Sequence, residues 1–318
     1  LILFFRRNEV NVKRLSELVF LILLPIFVVI SGCSTTEFLT RKVLPESWAR
    51  KILPGQPYLK KHVMVFPLID QAGLGPKLTA QLSHQFYNLL KKSPNLLLHE
   101  PPDGVFSSSS MKSPQFGVVT NSSLIDFAEG LGMNDLIIGV LNPVEISTQN
   151  TGWWPFDDWR KIYGVSVAVN IIDIASKTLL LTNIEIEEFS MSLEDAEDQD
   201  EETYVKKISI ETFPEIIEEQ TPLVERGLNA KHWTGRISAV ENKAIMINAG
   251  KDVGLKEGNR FEVFTEGKSI PSGSGRTIYL FGENIGELKV NSVMEKHSLA
   301  ESVSGGPFKA KQFIRFKP

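Results

Sequence analysis

The sequence predicts an α+β protein: a mixed five-stranded sheet with helices, followed by a small β-barrel. Three observations predict it. Between His62 and Phe213, apolar runs of strand length alternate with stretches in which apolar residues recur at helical spacing. From about Asn229 to Pro318 the helical period all but disappears, and short runs are punctuated by glycine. Of the 318 residues, 42% are hydrophobic and 23% charged, the composition of a folded domain.

Each element of the first part follows from local chemistry. Val63-Met64-Val65-Phe66, ended by Pro67, is a continuous apolar run, the mark of a strand buried on both faces. Gly73 and Gly75 make the turn into a helix that opens with Pro76 and repeats Leu78, Leu82, Phe86, Leu89 and Leu90 on one side. Lys91 and Lys92 suit its C-terminal dipole, and Pro94 stops it. Asn95 to His99 is a second strand. Pro101 to Asn121, rich in serine, proline and glycine, is a long loop, mobile or a contact surface. Ser122 or Ser123 caps a short helix through Leu131, and Gly132 ends it. Asp135 to Ile146 is the third strand, central at first, until Pro143 takes it out of the sheet or to an edge. Tyr163–Ile174 and Thr178–Met191 form a hairpin around Ala175-Ser176-Lys177. Both strands alternate, which predicts one covered face and one wet face. An acidic run, Glu194 to Glu202, precedes a closing helix that Pro214 and Pro222 break or kink. Helices are expected mainly on one face of the sheet.

In the second part, residues 235–240 and 244–247 flank Glu241-Asn242-Lys243, a hairpin signal. Arg260–Phe264, Thr277–Phe281, Ile285–Val293, Leu299–Val303 and Phe313–Phe316 supply further strands, with Thr265 to Arg276 as a flexible loop. Short strands in so small a region predict a closed barrel, which removes exposed edges.

Ahead of both lies Val19 to Cys33, an apolar run preceded by Lys13-Arg14 and closed by small residues, the build of a secretory signal. The run is short of the roughly 20 apolar residues a spanning helix needs. Leu1–Phe5 are read as upstream of the true start. Ile30-Ser31-Gly32-Cys33 resembles the lipobox of bacterial lipoproteins, which implies a leader over 1–32, acylation of Cys33 and attachment to a lipid bilayer. Ser34, where an aspartate is absent, implies sorting to the outer membrane, with the body on the periplasmic side. Cys33 is the only cysteine, so the chain forms no internal disulfide. Residues 33–60, with Pro45, Pro54, Gly55 and Pro57, read as a tether with one helical turn near Glu46–Lys51; Trp48 docks on the body or sits at the lipid interface. The folded parts are then 61–228 and 229–318.

HVMVFPLID, the helix after it, FAEGLGMNDLIIGVLNPVEI and VAVNIIDIASKTLLL together resemble the TolB N-terminal and CsgG-like superfamily. Leu131-Gly132, Gly139, Ile172-Asp173 and Lys177 occupy the matching places, and Gly139 is expected to let a helix lie close on the sheet. GRISAVENKAIMINAGKDVGLKEGNRFEVF resembles the C-terminal module of FlgT-type periplasmic flagellar assembly proteins. The resemblances imply a TolB-like sheet domain followed by an SH3-like barrel, and a role in the cell envelope.

Enzyme signals fail together. His62, His84, His99, His232 and His297 are scattered, and none has a partner at metal spacing. Asp195, Asp198 and Asp200 lack the glycine and bidentate glutamate of a calcium loop. Gly273-Ser274-Gly275-Arg276 lacks the context of a phosphate loop. The net charge of −4 gives no nucleic-acid footprint. No catalytic, metal or cofactor residue is therefore assigned.

Trp153, Trp154, Phe156 and Trp159 crowd a loop between strands and are the candidate partner contact. A lid over the sheet, alone or combined with a contact, is the favoured reading, because so much exposed apolar surface is uncommon on a monomer. The expected function is a non-enzymatic binding or assembly factor of the envelope acting on protein partners, flagellar by the FlgT resemblance, with oligomers open. The alternatives are a CsgG-like secretion component and an activator of a cell-wall synthase. A secretion pore needs long inserted hairpins, and the loops at 101–121 and 147–162 read as too short and irregular for that.

Overall fold

The computed structural model describes residues 59–102, 122–153, 155–241, 244–271 and 277–318. All of them belong to one compact unit. The leader, Cys33, the tether as far as residue 58, Trp48, Trp154 and most of the long loop lie outside the described residues.

The first part is ordered β1 (Lys61–Val65), β2 (Ile69–Asp70), α1 (Pro76–Leu90), β3 (Leu96–His99), α2 (Ser122–Gly130), β4 (Asp135–Leu141), β5 (Glu145–Asn150), β6 (Trp159–Asp173), β7 (Thr178–Ser192), α3 (Leu193–Asp198) and α4 (Glu201–Asn229). Its sheet has seven strands, not five. The register explains the difference. β1 and β2 pair successive parts of the same side of β4, and β4 and β5 pair successive parts of the same side of β6. Two of the five expected positions are thus filled by broken strands. β1 runs parallel to β3 and β4, and β6 runs antiparallel to its neighbours.

Pro143 causes one of these breaks. Leu141 pairs Val167 and Glu145 pairs Gly164, so four steps on one strand face three on the other. That is a bulge, the place in a sheet where a residue without an N–H is tolerated. Beyond it the pairing resumes, and residues 147–150 and 159–162 are strands joined by a turn, not an irregular loop.

Helices cover both faces of the sheet, a departure from the expected one-sided packing. On one face, Val63, Val65, Ile137, Tyr163, Val165, Val167, Val169 and Ile171 meet Leu82, Phe86 and Leu90 of α1 and Phe213, Ile216, Ile217, Val224 and Leu228 of α4. On the other, Met64, Leu136, Ile138, Ala168 and Ile172 meet Leu124 and Ala128 of α2. Each such large apolar side chain taken out of water contributes about 1.5–3 kcal/mol.

Other local expectations are refined. Pro76 opens α1, and Gly132 follows α2 with φ +74°, the left-handed geometry that favours glycine. At Gly139 a Cβ would come within 2.3 Å of Leu68, so the close approach is by the segment between β1 and β2, not by a helix. Pro214 and Pro222 do not break α4, which runs through both. Part of the acidic run forms α3, where the Ser192 hydroxyl accepts from the Asp195 N–H. In the middle of β7 the apolar pair faces water: Ile184 and Ile186 are exposed, whereas Glu185 and Glu187 share the α4 face with Val167 and Val165, between Leu181 and Phe189, which pack on the core.

The second part is a closed six-stranded barrel, in the order β10-β11-β12-β9-β8-β13. Its strands are β8 (Thr234–Glu241), β9 (Ala244–Ile247), β10 (Arg260–Pro271), β11 (Thr277–Val293), β12 (Ser298–Gly305) and β13 (Phe313–Lys317). The two strands expected over 277–281 and 285–293 are one, β11, and β10 extends through most of the expected loop. The core holds Trp233, Ile237, Ile247, Val253, Phe261, Val263, Leu288 and Ile314. Trp233 and Phe316 each meet Phe261 edge-on. Leu59 is buried in this core and the Lys60 N–H donates to the Val253 carbonyl, so the last residues assigned to the tether belong to the folded body.

Candidate functional site

β6 positions the aromatic cluster. It is fifteen residues long, so its ends stand about 50 Å apart at the usual rise of ~3.3 Å per residue. Its Asp173 end lies in the core, against β4 and β7. Its Trp159 end pairs with Asn150 on β5, and the two strands form a hairpin.

The turn of that hairpin is held by short polar side chains. The Asn150 Oδ1 accepts from the N–H groups of Gly152 and Asp158, and the Asn150 Nδ2 donates to Asp157. The Thr151 N–H donates to the Asp158 carbonyl, 2.8 Å away. These bonds fold residues 151–158 tightly enough that Trp153 and Phe156 form an isolated bridge and stack edge-on, with ring centroids 5.7 Å apart.

The rings nevertheless face water. Trp153 is 74% exposed, Phe156 68% and Trp159 51%, and Ile146 on β5 is 41% exposed. The lid reading is therefore corrected for these three residues. A lid would require the turn to fold back over the sheet, and the unbroken pairing of β5 with β6 carries it outward instead. Trp154 and Cys33 are outside the described residues.

The opposite end of the sheet holds polar groups that sequence reasoning did not bring together. Lys61 and Asp135 are buried, 7% and 1% exposed, with Nζ and Oδ2 3.6 Å apart. The Lys61 Nζ also donates to the Leu228 carbonyl at the end of α4, 2.5 Å away. Lys231 pairs with Asp173, which also accepts from the Ser176 N–H and hydroxyl. Burial pushes the Asp135 carboxyl up to about 6, helped by the nearby Asp173 and opposed by Lys61. Burial lowers Lys61, while Asp135 opposes the shift.

Two of the scattered histidines also meet. His62 Nδ1 lies 2.7 Å from His99 Nε2, and His62 Nε2 lies 3.1 Å from Asp252 of the barrel. Burial lowers both imidazoles, so they are neutral at pH 7. The only signal in the sequence is the pairing of their strands: β1 and β3 lie side by side, with His62 opposite Leu97 and Met64 opposite His99. Asn134 completes this seam. Its Oδ1 accepts from the His62 N–H and its Nδ2 donates to the Thr234 carbonyl of β8. Among the described residues no hydrogen bond carries a nucleophile into the His99–His62–Asp252 chain, and its geometry joins sheet and barrel. Among the described residues no three His, Cys, Asp or Glu side chains converge as metal ligands would.

A cleft of about 390 Å³ lies beside this seam, lined by Leu180, Leu181, Lys231, His232, Phe281 and Arg315 among others. Its lysine and arginine are already engaged, Lys231 by Asp173 and Arg315 by Glu262. Among the described residues no helix is long and apolar enough to cross a membrane.

No family model matches the chain, and no curated protein matches it. Several solved structures do. The chain is similar to the hypothetical protein CT253 from Chlamydia trachomatis, at 17% identity over 54% of this chain and 99% of that one, with a TM-score of 0.31. It is similar to the lipoprotein GNA1162 from Neisseria meningitidis, at 10% identity over 53% and 99% of the two chains, TM-score 0.26. It is also similar to a minor lipoprotein from Acinetobacter baumannii, at 14% identity over 53% and 96%, TM-score 0.25. The matched structures thus include bacterial lipoproteins and cover about half of this chain. The TolB-, CsgG- and FlgT-like resemblances rest on the motifs that carry them.

Proposed function

We propose that this chain is a non-enzymatic lipoprotein of the cell envelope, held on the periplasmic face of the outer membrane by acyl groups on Cys33, whose body binds and assembles protein partners. The observation that carries the reading is the end of the β5–β6 hairpin, where Trp153, Phe156 and Trp159 stand in water on a well-bonded turn. Exposed aromatics on a rigid support are the residues that dominate protein interfaces. Acyl chains at Cys33 would contribute about 0.8 kcal/mol per buried methylene, so several hold a body on a bilayer. A role in flagellar assembly, after the FlgT-like motifs of the barrel, is the narrower version.

A CsgG-like pore is the weaker alternative. β6 and β7 have fifteen residues each, more than the ~9–11 a strand needs to cross a bilayer. Much of β6, however, is core: Val165, Val167, Val169 and Ile171 are buried under α4.

Three measurements test the proposal. Cys33→Ser should release the protein from the membrane fraction; full retention would end the anchor reading. Crosslinking of intact membranes followed by mass spectrometry should recover an envelope protein with the wild-type chain and lose it with Trp153→Ala plus Trp159→Ala. Equal recovery from both would remove the aromatic end from the interface. Turnover of a small molecule by the purified protein would overturn the non-enzymatic reading.

A further inference from the structure

Among the described residues the outer edge of β5 is open. β2 ends at Asp70, opposite Leu141, and among the described residues no strand pairs with Glu145–Asn150 on the side away from β6. All six residues are exposed. In an antiparallel pair every second residue turns both its N–H and its C=O away from the partner strand. The β5 edge therefore presents a row of free backbone groups, and what satisfies such a row is another extended backbone.

Natural sheets guard open edges with charge, proline or a bulge. The far edge, β7, is guarded in this way: it carries Glu185, Glu187 and Glu188 and a register shift against β6. β5 reads Glu-Ile-Ser-Thr-Gln-Asn, with one charge, at its first residue, and no proline. The β5 and β7 edges of one sheet thus differ in charge along their length.

We propose that a second copy of this chain pairs through β5, antiparallel and about a two-fold axis, so that the two sheets become continuous. The charge pattern favours a copy over other occupants. With Ser147 or Thr148 opposite its own copy, Glu145 faces Gln149 or Thr151, and no like charges meet. Pairing β5 with the acidic stretch of β7 in a second copy sets Glu145 on the same face as Glu188, or as Glu185 and Glu187, so a head-to-tail array in that register is disfavoured relative to the closed pair. The pairing also uses exposed apolar surface. Ile146 stands beside Tyr163 and Asn150 beside Trp159 on the same face. With Thr148 at the axis, Ile146 of one copy lies opposite Asn150 of the other, whose Trp159 flanks it. This inference extends the reading of the hairpin as a contact region, and can fail without it.

The test uses the full chain in isolated membranes, with single cysteines introduced as Ser147→Cys, Thr148→Cys and, on the guarded edge, Glu187→Cys. After mild thiol oxidation, at least one of the two β5 variants should give a dimer on a non-reducing gel, exceeding Glu187→Cys and the unsubstituted chain at least about tenfold, because a disulfide forms only where Cα atoms lie within ~7 Å. These positions are exposed, so thermal melting should match wild type, and the two sites serve as checks on each other. Dimer from neither, or equally from Glu187→Cys, overturns the proposal. A product appearing only when Ser147→Cys and Glu187→Cys chains are mixed overturns the two-fold geometry, and one of a mass other than twice the chain overturns the second copy as occupant. Loss of the β5 crosslink with the Trp153-dependent partner still recovered would leave the proposed function standing.

Discussion

The two ends of β6 are built on opposite principles. At Asp173, charges are paired and mostly buried: Lys61 with Asp135, both buried, and half-buried Lys231 with buried Asp173, with the carbonyl of Leu228 and the hydroxyl of Ser176 in the same network. At Trp159, large apolar rings are exposed on a turn held by short polar side chains. Charge inside and aromatic outside reverses the usual partition. Where the sheet meets the barrel, buried polar groups fix one geometry, because any other leaves them unpaired. Where the hairpin leaves the body, Trp153 and Phe156 pack on each other, and all three rings keep half or more of their surface in water, available to a partner. The difference teaches that one strand can carry a structural end and a contact end, and that substitutions should separate them.

The largest effect belongs to the buried end. Lys61→Met strands Asp135 without its counter-charge and should cost about 3–5 kcal/mol at pH 7 in a denaturant titration. The pH dependence has a definite sign. Asp135 takes up its proton near pH 6 when folded, against 3.8 as its ordinary value. Between these the folded state binds the extra proton, so this group's contribution is largest below the lower value and is lost as pH rises through 6. The Lys61→Met penalty should therefore shrink when the titration is repeated at pH 5. A penalty that is small at pH 7, or that grows at pH 5, would mean the pair does not organise this end.

A middle effect is expected at the seam. Asn134→Ala leaves the His62 N–H and the Thr234 carbonyl without their partner and should cost about 1–3 kcal/mol. Hydrogen exchange should then quicken on both sides of the seam, at β1 and β8. The smallest effect on stability is at the contact end: Trp153→Ala removes a side chain already in water, and should shift stability by less than ~0.5 kcal/mol. A loss of several kcal/mol there would erase the contrast between the two ends.

Much of the fold was legible along the chain. The helix opened by Pro76, the strand interrupted at Pro143 and the hairpin around Ala175-Ser176-Lys177 each depend on local backbone chemistry, and each stands where the periodicity put it. The errors in the strands share one cause, that the information lay in pairing. The strand broken at Pro143 resumes only because β6 is long enough to meet it on the far side of the bulge. Thr277–Phe281 and Ile285–Val293 fuse into β11 because β10 runs alongside both. The alternation in β7 correctly announced two unlike faces, but it could not say that Ile184 and Ile186 would be on the wet one.

The candidate site divides the same way. That Trp153, Phe156 and Trp159 belong together was visible from their spacing. That they stand outward, and are not folded over the sheet, depended on Asn150 and Thr151 tying the turn. His62, His99 and Asp252 lie far apart in sequence and meet through strand register and the docking of a barrel loop.

The sequence by itself determined the elements, their order, the change from helical to alternating period near Asn229 and the lipobox-like ending at Cys33, since these depend on neighbours a few residues away. Only the tertiary structure decided which face of β7 is wet, which sheet edge is open and which charges are buried together. Those outcomes depend on contacts between residues tens to hundreds of positions apart, whose cost or gain exists only once burial has removed the water between them.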